Sequence, residues 1–190
     1  MIIYLEGPDG SGKSTLLSSI ANHIHNKFKV DFLSNANRFI PTHPKAENRV
    51  SEKELFRQLK RMAKDDKTVY IIDRGPISDL VYRVFDSYNW VTTPNKVIEF
   101  FKKYSNKIMT IYCRTDLAEK KMLERGDDNP IAKQKHKEIT KLFDLFMSSY
   151  KDRVKYNVVQ HDYSKKSSTK QILNKVDYFC YMNGCEEILK

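Results

Sequence analysis

The sequence has 190 residues and a mass of 22.4 kDa, which indicates a single domain. Hydrophobic residues make up 40% of the chain and charged residues 31%, so the composition excludes wholesale disorder. No apolar run approaches the roughly 18 residues that a membrane-spanning helix needs. The formal net charge of +10 indicates an anionic partner, such as a nucleotide or a nucleic acid, or simply a lysine-rich solvated surface.

The three cysteines are Cys113, Cys180 and Cys185. Their odd number and the lack of a C-x-x-C spacing argue against a disulfide framework or a structural zinc site. The first residues show no basic segment followed by a cleavage signal. We therefore expect an unexported protein in the reducing cytoplasm, with no membrane partner.

In chain order, strand and helix patterns alternate. Apolar or β-branched runs predict strands over residues 2–6, 30–33, 68–72, 107–113 and 154–160. Helical spacing predicts helices over about 13–26, 52–64, 78–88, 95–104, 117–124, 136–150 and 168–182. Ser51 is the predicted N-cap of the second helix, with Glu54 in a capping-box position. Residues 34–50 and 127–135 contain prolines and no clear period, so we predict loops there, the second of them mobile. This alternation predicts an α/β domain with a parallel sheet covered on both faces.

Residues 7–15 fit the phosphate-loop pattern G-x-x-x-x-G-K-[ST] between a predicted strand and a predicted helix. Glycines let the loop turn tightly, so that successive N–H groups face phosphate oxygens at a helix N-terminus. In this pattern Lys13 neutralises the β- and γ-phosphates, and the Ser14 hydroxyl is placed to bind Mg²⁺. We therefore expect ATP and Mg²⁺ as cofactors. The predicted ATP-binding residues are Gly7, Asp9, Gly10, Ser11, Gly12, Lys13, Ser14 and Thr15.

Two segments make the pattern more specific. Residues 5–15 resemble the E-G-x-D-G-S-G-K-[ST]-T opening of thymidylate kinases, and residues 73–82 resemble that family's D-R-x-x-x-S-x-x-[AV]-[YF] segment. More weakly, residues 116–126 are similar to the helix entering the family's lid, and residues 161–163 to its loop around the adenine. The resemblance implies one P-loop nucleotide-kinase domain over residues 1–190, with strand order 2-3-1-4-5 and a lid at about 125–137.

Phosphoryl transfer depends mainly on positioning and electrostatics, so the site needs a metal, the loop lysine and bridging arginines. Asp73 can hold Mg²⁺ or its water opposite Ser14, and Arg74 can clamp an acceptor phosphate in a bidentate way. Arg125 is the candidate lid arginine. The family's usual second lid arginine is missing, so either a nearby lysine (Lys133, Lys135 or Lys137) substitutes or the lid depends on Arg125 alone.

The acceptor side is less well matched. By resemblance, Asp9 faces the acceptor sugar or supports the metal through water, and Arg38 is the candidate acceptor-phosphate arginine. Tyr82 can stack on the base, as can Phe39, although aromatic residues at such spacing often belong to the core. The five histidines show no metal-ligand spacing, so we expect structural or surface roles for them.

A hydroxyl acceptor needs a general base, whereas a monophosphate acceptor needs cations. Deoxynucleoside kinases place a glutamate just after the second strand, where this chain has Arg38 and no acid before Glu47. This favours a deoxynucleoside monophosphate, with dTMP implied by the resemblance. One alternative is a deoxynucleoside kinase that uses Asp9 or Asp73 as the base for a 5′-hydroxyl.

Two further alternatives are a nucleic-acid acceptor and a protein that binds a nucleotide without catalysing a reaction. Basic residues cluster at 53–67 and 133–155, so a hydroxyl of a nucleotide or modified base within DNA or RNA remains an acceptor to test, with activity that falls steeply with salt. A non-enzymatic nucleotide-binding module would be expected to lack Lys13 or Asp73, and both are present.

Thymidylate kinases are often dimeric, which leaves a homodimer open. The Lys- and Asn-rich composition would suit an AT-rich bacterial or viral genome, such as that of a bacteriophage, with the host cytoplasm as the compartment if viral.

Overall fold

The computed structural model describes residues 1–33, 51–85, 93–126, 130–154 and 157–185. Within these ranges, parallel strands form a five-stranded sheet in the order β2-β3-β1-β4-β5. The strands are β1 (Ile2–Glu6), β2 (Lys29–Leu33), β3 (Thr68–Asp73), β4 (Ile108–Cys113) and β5 (Asn157–His161). The predicted α/β class and strand order are confirmed.

Helices cover both faces of the sheet, as predicted. They are α1 (Lys13–Ile24), α2 (Glu52–Lys64), α3 (Pro76–Tyr82), α4 (Pro94–Lys103), α5 (Ala118–Glu124), α6 (Pro130–Val154) and α7 (Ser168–Met182). Side chains of β1 alternate between two cores, because successive strand residues point to opposite faces. Ile2 and Tyr4 join a core with α2, α3, α4 and α6, whereas Ile3 and Leu5 join one with α1 and α7.

The predicted start of α2 is confirmed. Ser51 precedes the helix in an extended conformation, and its hydroxyl accepts a hydrogen bond from the Glu54 amide at 3.2 Å. This bond satisfies one of the amide groups that a helix N-terminus leaves without an intrahelical partner.

Two predicted boundaries are wrong. Residues 130–135, predicted as loop, form the first turns of α6, which begins at Pro130 and kinks at Lys135 (φ −121°, ψ 18°). Proline suits a first helical turn, so it marks a helix start here instead of a loop. Val154 ends α6, and β5 begins only at Asn157.

Several predictions lie outside the described residues. They include the 34–50 loop with Arg38 and Phe39, residues 86–88 of the predicted 78–88 helix, and residues 127–129 of the predicted lid. The predicted end of that helix is a third wrong boundary, because α3 already ends at Tyr82 and residues 83–85 form a turn. In the ranges that the structure covers, no helix combines the length and apolar character that crossing a membrane requires.

Candidate active site

The phosphate loop joins β1 to α1 and is shaped by two close backbone approaches. A Cβ on Gly7 would lie 2.2 Å from the carbonyl oxygen of Cys113 on β4, so only glycine fits there. Gly12 has φ +83° and caps α1, and a Cβ on it would lie 2.7 Å from the ring of Tyr163. Both positions therefore need glycine, because each lacks space for a side chain and each has a positive φ, +142° at Gly7 and +83° at Gly12.

Lys13 begins α1 with its ammonium group turned back onto the loop. The Nζ atom donates to the carbonyl oxygens of Gly7 at 2.9 Å and Pro8 at 2.7 Å. Burial, helped by the nearby Arg74 guanidinium, lowers the pKa of Lys13 to about 8. An anion placed beside this ammonium group would favour its protonated form.

Asp73 ends β3, and its backbone lies in register with Leu5, one residue before the end of β1. Its Oδ1 atom is buried and has no hydrogen-bond partner among the described residues. A buried carboxylate oxygen left in this way fits a bound cation, and hydroxyl and carboxylate oxygens are the ligands that Mg²⁺ prefers. Ser14 lines the same cavity, so Ser14 and Asp73 fit a magnesium site. No cluster of three or more His, Cys, Asp or Glu ligands occurs in the described ranges, so such an ion would depend on further oxygens from its substrate or from water.

Arg74 follows Asp73 in the left-handed region of backbone conformation, with φ 69°. Its guanidinium donates to the Gly7 carbonyl oxygen at 3.1 Å, pairs with the Asp9 carboxylate and lies 5.0 Å over the Tyr82 ring. Burial opposes the charge on Arg74, but the surrounding acidic groups outweigh it and raise the pKa. Arg74 is therefore a fixed, permanently charged group beside the phosphate loop.

Asp9 joins the loop to α3. One carboxylate oxygen pairs with Arg74, and the other accepts the Tyr82 hydroxyl at 3.0 Å. Burial disfavours the charge, yet Arg74 and Lys13 hold the pKa of Asp9 below its ordinary value. Asp9 is thus ionised, and both of its carboxylate oxygens already have partners. Its low pKa makes it a weak base.

One polar cavity of about 220 Å³ brings most of the predicted site residues together. Its lining consists of Asp9, Gly10, Ser11, Gly12, Lys13, Ser14, Asp73, Arg74 and Arg125. Arg125 reaches it from the C-terminal end of α5. These residues come from the loop between β1 and α1, the start of α1, the end of β3 and the end of α5, at the carboxyl edge of the sheet, where ligands bind in open α/β folds.

Three predicted residues in the described ranges stand apart from this lining: Gly7, Thr15 and Tyr82. Thr15 is exposed on α1, one residue beyond the lining. Tyr82 is only 8% exposed and packs edge-to-face on Phe143, so its ring belongs to the core while its hydroxyl reaches the site through Asp9. Base stacking by Tyr82 stays a prediction.

Two residues near the site make contacts that the sequence did not predict. The Glu6 side chain is fully buried and accepts hydrogen bonds from the amides of Ile77 and Ser78, each at 3.1 Å. The buried His136 side chain, beside the α6 kink, places Nε2 at 2.9 Å from the Asp9 carbonyl oxygen. Glu6 lies inside the matched motif, which was the available signal. His136 is 127 residues from Asp9, and no local pattern joins them.

The chain is similar to solved structures of other proteins. No family model matches the chain, and no curated protein matches it significantly. The YorR protein from Bacillus subtilis, solved in complex with phosphorylated GDP, is 22% identical over 96% of both chains with a TM-score of 0.68. Deoxyadenosine kinase from M. mycoides with bound dATP is 21% identical over 93% of this chain and 100% of that one, with a TM-score of 0.55. Its dCTP complex is 18% identical over 94% and 100%, with a TM-score of 0.53. The chain therefore has the α/β fold of P-loop kinases.

Proposed function

We propose that this protein is an Mg-ATP-dependent kinase that transfers the γ-phosphoryl group to a deoxynucleoside monophosphate, with dTMP as the expected acceptor. The observation that carries the proposal is the polar cavity that the phosphate loop, Asp73 and three cationic side chains, Lys13, Arg74 and Arg125, line together. Transfer between two phosphates needs cations that hold both partners in line, and these three groups supply them.

On the donor side, loop N–H groups and the Lys13 ammonium bind the β- and γ-phosphates of ATP. Ser14 and Asp73 would hold Mg²⁺, which neutralises charge on the phosphate oxygens when bound. Arg125 stands at the end of α5, where a lid residue can contact the transferring group.

On the acceptor side, Arg74 uses one nitrogen on the Gly7 carbonyl and another on Asp9. A guanidinium carries five N–H donors, so others remain for an acceptor phosphate. That phosphate is already anionic, and its oxygen attacks the γ-phosphorus as ADP leaves, with no base required. Asp9, paired and low in pKa, suits the role of orienting Arg74 better than that of a base.

A second candidate is a deoxynucleoside kinase. The observation that favours it is the buried Oδ1 atom of Asp73, without a partner in the described part of the chain, which could accept the proton of a 5′-hydroxyl. The likeness to deoxyadenosine kinase structures fits this candidate equally well.

The test is phosphate transfer from γ-labelled ATP with Mg²⁺ to separate acceptors: the four dNMPs, thymidine, deoxyadenosine and a single-stranded oligonucleotide. Label on a dNMP supports the proposal and identifies the base. Label only on a nucleoside favours the second candidate, and label only on the oligonucleotide points to a nucleic-acid acceptor. Lys13→Ala should abolish transfer, whereas Lys64→Ala, an exposed lysine on α2, should not.

A further inference from the structure

Glu6 is a fully buried carboxylate that none of the proposed chemical steps uses. It ends β1, directly before the phosphate loop, and reaches across to the start of α3. There it accepts hydrogen bonds from the backbone amides of Ile77 and Ser78 and from the Ser78 hydroxyl. Above its pKa, which burial raises to about 7, the Glu6 carboxylate accepts hydrogen bonds at both oxygens, so its ionised form matches three converging donors.

The same short segment is pressed against β1 at two more points. The Arg74 amide donates to the Leu5 carbonyl oxygen at 2.9 Å. A Cβ on Gly75 would lie 2.7 Å from Oε1 of Glu6 and 2.5 Å from the Tyr4 ring, so the backbone passes directly over the carboxylate. Residues 74–78, named here the 74–78 turn, are therefore tied to the end of β1.

The turn carries the residues proposed to meet the acceptor. Arg74 stands at its start in a left-handed conformation that is unfavourable for a residue with a side chain. Tyr82, one helical turn beyond Ser78, donates to Asp9. Without the carboxylate, the buried Ile77 and Ser78 amides would lose their partner, and the turn would relax.

We propose that Glu6 is a positioning residue whose carboxylate fixes the 74–78 turn, so that Arg74 faces the cavity and Tyr82 reaches Asp9. The inference rests on the proposed function for its kinetic test. On this inference, Glu6 influences how the site holds the acceptor. Binding of ATP, which depends on the phosphate loop, does not depend on Glu6.

Glu6→Gln tests this with little change in shape. The amide group of glutamine has only one acceptor oxygen, and its NH₂ group would face the N–H and O–H donors of the turn. The hydrogen bonds to the turn would therefore be partly lost. We expect kcat/KM for the acceptor to fall by at least about tenfold, while the Kd for ATP, measured by calorimetry, stays within about twofold. Glu99→Gln, on the exposed face of α4, is the matched control and should change neither.

A structural readout separates this inference from the proposed function. In ¹H–¹⁵N spectra, Glu6→Gln should shift the amide signals of Ile77 and Ser78 and the Nε–Hε signal of Arg74. If the unmodified chain transfers phosphate to no acceptor, the proposed function fails, and these shifts still test Glu6. Unshifted signals would overturn the inference.

The kinetic outcomes are equally distinct. If Glu6→Gln weakened ATP binding as much as it lowered kcat/KM for the acceptor, Glu6 would support the fold in general, and the positioning role would be overturned. Unchanged kcat/KM for the acceptor would also overturn it. If Glu6→Gln does not fold, Ser78→Ala removes one donor and keeps the carboxylate. That variant should show a smaller loss, again confined to the acceptor, and no loss would overturn the inference.

Discussion

Arg74→Lys is the substitution that tests the proposed acceptor clamp most directly. Arg74 contacts the Gly7 carbonyl oxygen at 3.1 Å, the Asp9 carboxylate and the Tyr82 ring at 5.0 Å. A lysine ammonium keeps the charge but lacks the planar fork, so it cannot hold these groups and a phosphate together. Losing one charged hydrogen bond costs about 1.5–3 kcal/mol. At 1.36 kcal/mol per factor of ten, kcat/KM for the acceptor should fall about 10- to 150-fold.

The assay is steady-state transfer at saturating ATP with the acceptor varied. Arg57→Lys is the matched control, because Arg57 also forms a two-point pair, with Glu54, but on an exposed face of α2. Exposed pairs contribute little, so the control should keep its activity. If Arg74→Lys stayed within about threefold of the unmodified chain, the bidentate clamp would be refuted, since that change is below 1 kcal/mol.

Three further predictions concern the loop and its surroundings. Lys13→Ala should lower kcat by about 10² or more, because it removes a preorganised charge, and near-normal turnover would contradict the site assignment. Gly12→Ala should lower the melting temperature more than Gly126→Ala, since both have positive φ but only Gly12 abuts the Tyr163 ring; equal shifts would refute the contact. Burial raises the pKa of Glu6 from 4.5 to about 7, so the folded chain keeps this proton to higher pH than the unfolded chain. The free energy of unfolding should therefore fall by about 3 kcal/mol between pH 4.5 and pH 7 and then level off, and urea titrations of Glu6→Gln should lack this slope.

The parts of the fold that could be predicted are those with local signals. Buried strands such as β1 and β4 are continuous apolar runs, and the phosphate loop is a contiguous motif. Ser51 and Glu54 lie three residues apart, within one capping geometry. The strand order could not be obtained from periodicity, which says nothing about neighbours, and came from the resemblance instead.

The contacts that escaped prediction join distant parts of the chain. Glu6 meets Ser78 across 72 residues, and His136 meets the Asp9 carbonyl across 127. The α6 start at Pro130 was missed because a proline that follows three polar residues, at 127–129, resembles a loop in the sequence. The two long-range contacts depend on how distant helices and strands pack together. Local patterns in a single sequence do not show this packing.

The left-handed backbone at Arg74 and its burial beside Asp9 have a consequence for engineering. A side chain in this backbone region is disfavoured by roughly 1–2 kcal/mol, and well-packed neutral residues of similar volume can often replace a buried ion pair without loss of stability. The double variant Asp9→Asn/Arg74→Met, which fills about the same space, should therefore fold as well as the unmodified chain. A library selected only for heat resistance would drift away from this pair, whereas a library selected for turnover would retain it.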